Sequence, residues 1–374
     1  MFHRTLRRAA LTLLAATASL AHAANIEITD LAGRHVTIPD KVERIIVGEG
    51  RYLPALAILD RQDPTARIVG MMGDFEQLDP ASYKRFAERF PKLDKIQRMG
   101  RSSEDSFSIE QAIALRPNVA IFGIEGHGPS SGSKEVIDRL QAAGVAIVFI
   151  DFRRDPLGNT VKSMQILGRV LGRDKEAAEF LAFYDQQMRV VTDRLAKIKT
   201  RPSVFLESRV GRSEACCETM AHGMMAGFVD RAGGDNVAKA VVPGETGTLN
   251  IEYLLTNQPR FYIGTAVGSV GTIGKAPNRI VLGAGVTPQV ARASLERATR
   301  RTGIANLTAV REGRAFAVWH HFYNSPFNVV AVQAIAKWLH PEVFADVDPT
   351  ATFRTLHERF QPFPLDGTYW IGLK

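Results

Sequence analysis

Residues 177–195 read AAEFLAFYDQQMRVVTDRL. Ala177, Phe180, Leu181, Tyr184, Met188, Val191 and Leu195 recur at the three- and four-residue spacing of one helix face. A helix of about two dozen residues here is ~35 Å long, enough to run down one lobe and into another. Between residues 158 and 199 no strand pattern occurs, and Arg201-Pro202 ends the stretch. The fold depends on what lies on either side of this helix.

On both sides strands and helices alternate. Upstream, IEITDLAGRHVTI (26–38) has the pattern of a hairpin with its turn at Ala32-Gly33. RIIV (44–47), Ile68–Gly70, Val119–Gly123 and VAIVFI (145–150) are short apolar runs of the kind that form buried parallel strands. Tyr52–Leu59, Ser108–Leu115 and Ser133–Ala143 have helical spacing between them. Downstream, strands are expected at Ser203–Leu206, Arg260–Ile263 and Ala315–Trp319, and helices at His222–Ala232, Ile251–Thr256 and Pro326–Leu339. The expected fold class is α/β: two parallel-sheet lobes joined by a single long backbone helix, with a ligand cleft between the lobes. The division is 24–157 for the N-terminal lobe, 158–200 for the helical region and 201–374 for the C-terminal lobe.

Residues 1–23 have the pattern of a secretory signal peptide. Arg4, Arg7 and Arg8 precede a short apolar stretch, and Ala21-His22-Ala23 is an A-x-A signal with cleavage expected after Ala23. No cysteine follows for a lipid anchor, so the periplasm is the expected location. Removal of this segment lowers the formal charge from +8 to about +5, a balance that suits an anionic ligand and is also common on solvated surfaces. The basic residues are scattered, which argues against nucleic acid.

Enzyme and cofactor motifs fail. GEGRYL (48–53) follows a strand but has leucine where a dinucleotide fingerprint needs its third glycine. Gly274-Lys275 is followed by alanine and lacks the glycine of a phosphate loop at Ser269. There is no H-E-x-x-H, and the G-x-S-x-G at GPSSG (128–132) is separated by four residues from the strand pattern Val119–Gly123, where a nucleophile elbow follows its strand directly. Both cysteines fall in EACCETMAH (214–222). Three readings stand: a vicinal Cys216–Cys217 disulfide stiffening a recognition loop, unpaired thiols, or a metal site.

The order of segments resembles one family, the class III periplasmic substrate-binding proteins with a rigid helical backbone. These serve ABC importers of ferric siderophores, haem, cobalamin and metals. The resemblance is carried by DLAGRHVTIPDKVERIIV (30–47), SIEQAIALRPNVAIFG (108–123), GVAIVFID (144–151), LGRVLGRDKEA (167–177), AGGDNVA (232–238), NIEYLLTNQPRFYI (250–263), AVREGRAFAV (309–318) and WLHPEVFAD (338–346). It implies a non-enzymatic monomeric carrier that delivers its ligand to an inner-membrane ABC permease. It also implies that Glu110 and Glu252, one on each lobe, dock onto permease arginines. The expected cargo is a ferric siderophore, with iron present only as part of the chelate and no other cofactor. Haem or cobalamin is the alternative within the class, with His127 or His320 as metal ligand. An exported metalloenzyme or hydrolase is the alternative outside it.

Cleft residues of parallel sheets follow the strands. In the first lobe this selects Arg51 and Tyr52, then Arg101, then His127 and Ser130. In the second it selects Arg209, Arg212, Cys216 and Cys217, then His320, His321, Tyr323 and Asn324. The arginines suit anionic oxygens, and Tyr52, Phe322 and Tyr323 suit a bulky ligand. If the strand continues through His320-His321, the two rings point to opposite faces and only one meets the cleft. The backbone helix is expected to keep closure on binding small.

Overall fold

The computed structural model describes residues 25–213 and 216–374, and the expected signal peptide and its cleavage point lie outside them. β1 (Ile26–Thr29) and β2 (His35–Ile38) form the antiparallel hairpin, turned at Gly33 with φ 77°. The Asp30 carboxylate fixes this turn by accepting the Ala32 and Arg34 backbone N–H groups, each at 3.0 Å.

The first sheet holds β3 (Ile45–Val47), β4 (Ile68–Met72), β5 (Gln97–Gly100), β6 (Val119–Gly123) and β7 (Ala146–Ile150). Its order is β5-β4-β3-β6-β7 and every pairing is parallel. The chain therefore leaves β3 to one side and returns to β6 on the other. The carboxyl ends of β3 and β6 are the point where strand order reverses, where open parallel sheets open a crevice.

The second sheet contains β8 (Ser203–Glu207), β9 (Glu218–Met220), β10 (Asp235–Asn236), β11 (Thr246–Thr248), β12 (Phe261–Ala266), β13 (Ala315–Trp319) and β14 (Trp370–Gly372). β8, β12 and β13 are parallel, while β9, β11 and β14 are antiparallel additions at the edges. This sheet is mixed, not purely parallel. The added strands are three residues each, too short to leave a periodic signal. The expected helix at His222–Ala232 starts only at Ala226, because Gly223 and Met224 hold left-handed φ values of 65° and 45°.

Between the sheets run α1 (Pro156–Leu171) and α2 (Asp174–Leu195). Gly172, with φ 63°, ends the first helix, so the helical region holds α1 packed beside α2, and α2 is the expected long backbone helix. α2 has 22 residues, or ~33 Å. Its Ala177, Phe180, Leu181, Tyr184, Met188 and Val191 are buried in one apolar cluster with Val47 and Leu56 of the first lobe and Val204, Val330 and Phe353 of the second. α2 touches the helix Leu53–Leu59 on one side and α3 (Asn328–Leu339) on the other. A buried polar tie reinforces the join: Tyr184 Oη donates to Asn328 Oδ1 at 2.8 Å, and Asn328 Nδ2 donates to Thr160 Oγ1 at 2.9 Å.

A core shared by both sheets should unfold as one unit. The three tryptophans (Trp319, Trp338 and Trp370) all lie in the second half, so fluorescence follows that half while far-ultraviolet circular dichroism follows both. The two urea transitions should coincide, and Phe180→Ala should lower both together by about 3–5 kcal/mol. Separated transitions would refute the shared core.

Candidate ligand-binding site

The site begins with Gly48–Tyr52, the turn after β3. Arg51 is 5% exposed, and its guanidinium is buried between two carboxylates. Nε donates to Asp74 at 2.9 Å and Nη2 to Glu49 at 2.8 Å. Nη2 also reaches His127 Nδ1 at 2.8 Å, and Nη1 reaches His321 Nδ1 at 3.2 Å and Tyr323 Oη at 3.4 Å. All five donors are thus taken by protein acceptors from both lobes. Arg51 was expected to meet the ligand; it lines the cavity, but its N–H groups are already committed.

The two carboxylates respond differently to sharing one guanidinium. Burial pushes Glu49 up, but the Arg51 guanidinium beside it outweighs this and holds the carboxyl well below its usual range. Burial pushes Asp74 up, with Glu49 adding to it against the pull of Arg51. Glu49 also accepts the His127 backbone N–H at 2.9 Å and Asn324 Nδ2 at 2.7 Å. The loop Gly126-His127-Gly128 lies so close that a Cβ on Gly126 would strike the Glu49 carboxylate, and one on Gly128 the Gly48 carbonyl. Glycine is required at both positions for His127 to sit where it does.

Arginine can only donate, so the geometry fixes two tautomers. His127 Nδ1 accepts from Arg51 and, at 3.1 Å, from Arg153 Nη1. Its proton is therefore on Nε2. His321 Nδ1 accepts from Arg51, so its proton is also on Nε2. Burial, with Arg51 adding to it, pushes His321 down to about 3, and burial with His321 and the arginines pushes His320 well below the usual histidine value.

A cavity of about 510 Å³ opens over this network. Its walls come from both lobes and from the residues that follow strands: His127 after β6, Arg153 after β7, Ser208, Arg209 and Arg212 after β8, Val267 after β12, and His320, His321 and Tyr323 after β13. Arg279, Met220, Met224, Thr246, Gln77, Leu78 and Ser102 complete the lining. Among the described residues, no Asp or Glu lines it. Larger grooves of about 610 and 650 Å³ lie elsewhere on the surface, away from the carboxyl ends of the strands. Among the described residues, no group of three or more His, Cys, Asp or Glu is placed to hold a metal ion.

Seven of the thirteen expected ligand residues line the cavity together: Arg51, His127, Arg209, Arg212, His320, His321 and Tyr323. Both histidines of the pair do so, contrary to strand alternation, because β13 stops at Trp319 and His320–Asn324 coils into a 3-10 turn. The other six lie outside the lining. Tyr52 is in the core against Phe152, with ring centroids 6.1 Å apart. Arg101 is exposed beside Ser102, which does line the cavity. Ser130 turns to Ser133, whose Oγ accepts its N–H at 2.8 Å. Asn324 is buried on Glu49. Cys216 and Cys217 are bonded to each other, and they pack in the apolar cluster of Phe205, Leu249 and Tyr262. The staple exists, but neither sulfur faces the cavity.

Glu49, Asp74, Arg153 and Arg279 were missed. Arg153 was within reach of the rule used for the others, since it follows β7 by three residues. Arg279 sits in an irregular loop that offers no cue.

Glu110 and Glu252 occupy the first turns of short helices capped by Ser108 and Asn250. Both are exposed, and Glu110 pairs with Arg139 at 2.9 Å. No described helix is long and apolar enough to cross a membrane.

The profile of a family described as periplasmic binding protein matches residues 80–318. The molybdate-binding protein MolA of Haemophilus influenzae is 22% identical over 357 residues, covering 89% of this chain and 90% of that one. The structure of the TroA-like periplasmic binding protein FepB of Veillonella parvula superimposes with a TM-score of 0.82 at 27% identity, covering 93% of this chain and 100% of that one. Molybdate-bound MolA superimposes with a TM-score of 0.66 at 20% identity, covering 91% and 99%, and at that identity the match speaks to fold alone.

The buried neutral state of His321 has a pH signature. The unfolded chain binds this proton below 6.5, the native chain only below about 3. Stability from His321 is complete above pH 6.5 and declines as pH falls through that window. The stability gap between wild type and His321→Gln should narrow by about 1.4 kcal/mol per pH unit below 6.5 in urea titrations. A constant gap from pH 7 to 4.5 would contradict the neutral state.

Proposed function

The chain belongs to the periplasmic binding protein family, and we propose that its cargo is a ferric siderophore or a closely similar anionic iron chelate. Proteins of this family are solute-binding components of ABC transporters in the periplasm, passing small molecules to a permease. We read this chain as such a carrier and not as an enzyme.

One observation carries the choice of cargo: a cavity of about 510 Å³ lined, among the described residues, by five arginines and no carboxylate. Arg51 is neutralised by its own acids, which leaves Arg153, Arg209, Arg212 and Arg279 to set the field. Such a lining repels a bare cation and attracts a ligand that presents acceptor oxygens. In this reading the iron stays on its chelator. Leu78, Met220, Met224, Val267 and Tyr323 supply apolar contact for the body of a chelate.

The haem and cobalamin alternative is weakened for two of the cavity histidines. His127 and His321 hold their protons on Nε2, so neither offers that nitrogen as a metal ligand without surrendering a guanidinium bond. A second reading is a free tetrahedral oxyanion, favoured by the arginines and by the molybdate-binding relative. Such an ion would fill only a fraction of the cavity, so the chelate is preferred.

Trp319 lies edge-on to His321, with centroids 5.1 Å apart, and so reports on the cavity. Its fluorescence should be quenched by ferric tricatecholate or ferric citrate and not by a cationic ferric hydroxamate. Response to haem alone would reject the reading.

Glu110 and Glu252 stand apart from the cavity lining, as docking contacts would. Glu110→Lys and Glu252→Lys should leave ligand affinity unchanged and abolish uptake in cells carrying the permease. Uptake at the wild-type rate would remove them from docking.

A further inference from the structure

Three of the cavity arginines share one wall, brought there from two loops. Arg209 and Arg212 flank Gly211, which has φ 74° and packs directly on the Asn278–Arg279 backbone. A Cβ at Gly211 would stand 2.6 Å from the Arg279 backbone nitrogen, so no other residue allows the two loops this approach. Arg209 itself is held at a left-handed φ of 49°. Thr265 fixes it there, its Oγ1 accepting the Arg209 N–H at 2.7 Å and its carbonyl the Val210 N–H at 3.0 Å. A strained backbone held by buried hydrogen bonds marks a position where side-chain direction matters.

Among the described residues, the charges on this wall are not balanced from within. Among the described residues, Glu218 is the one acid paired with any of the three, 2.9 Å from Arg209. Arg209 Nε and Arg279 Nε are both buried and have no hydrogen-bond partner among the described residues. Two unpartnered guanidinium N–H groups beside one cavity are donors waiting for an acceptor.

We infer that Arg209, Arg212 and Arg279 form an oxyanion subsite that takes the anionic oxygens of a carboxylate, catecholate or tetraoxoanion group by direct guanidinium N–H contact. Forked guanidinium donors match the paired oxygens of such groups. The opposite wall, with the His127 Nε2–H and Arg153, is left for the remainder of the ligand. The inference rests on the anionic-cargo reading above and adds where the ligand's charge lands.

The test is a calorimetric titration of wild type, Arg209→Gln and Arg279→Gln with sodium molybdate, sodium citrate, ferric citrate and ferric tricatecholate at fixed ionic strength. For whichever anion the wild type binds, each substitution should weaken binding about 10- to 100-fold. Arg279→Lys, which keeps the charge without the fork, should recover only part of that loss. Arg189→Gln, at an exposed position on α2, should change nothing. Loss with molybdate or metal-free citrate assigns the subsite to a free oxyanion, and loss confined to the ferric complexes assigns it to an arm of a chelate. Either result supports the subsite. Wild-type binding that survives both glutamine substitutions within about twofold overturns the subsite and leaves the carrier reading standing. A wild type that binds none of the four overturns both.

Discussion

The structure turns on one buried cation. Arg51 leaves the end of β3 and is enclosed between Glu49 and Asp74. An unpaired charge at that depth would cost several kcal/mol, and removing one partner of such a pair typically costs about 3–5 kcal/mol. The turn that carries Arg51 must therefore bring both acids to it, which it does by placing Glu49 two residues earlier and by donating Gly50 N–H to Asp74 at 2.6 Å. The remaining donors then reach across to His321 and Tyr323. The same side chain that satisfies its own burial also ties the two sheets together at the base of the cleft.

This arrangement explains the sign of the cavity. Both acids nearest the strand ends of the first sheet are consumed by Arg51, and Glu218 is paired with Arg209. Among the described residues no carboxylate lines the opening, while four further guanidinium groups do. The tautomers of His127 and His321 follow from the same donors, so both rings act as neutral hydrogen-bond donors at Nε2. The lack of competing acceptors among the described lining residues thus descends from how one arginine is buried.

Much of the fold was legible because buried parallel strands are written as apolar runs: IIV, VAIFG and AIVFI appear as such and are buried throughout or nearly so. The long amphipathic stretch behaved as its spacing implied, since Phe180, Tyr184 and Val191 face one core. The site was legible only in part. The rule that ligands sit after strands located Arg209, His127 and Tyr323, yet it could not separate Tyr52 and Phe322, which the core absorbed. Glu49 and Asp74 were invisible because a charged residue in a sequence defaults to the surface, and burial is revealed only by the partner. His320 and His321 were misjudged because nothing in the residues marks where β13 gives way to a tighter turn.

The most direct measurement is hydrogen exchange of the ligand-free protein, followed by mass spectrometry, in wild type and Arg51→Met. If the Arg51 network braces a preformed cavity, segments 48–52 and 320–325 exchange slowly in wild type without any ligand. In the variant both then speed up together. Fast exchange of these segments in the wild type, or acceleration of one without the other, would contradict the claim that a single buried guanidinium joins the two halves.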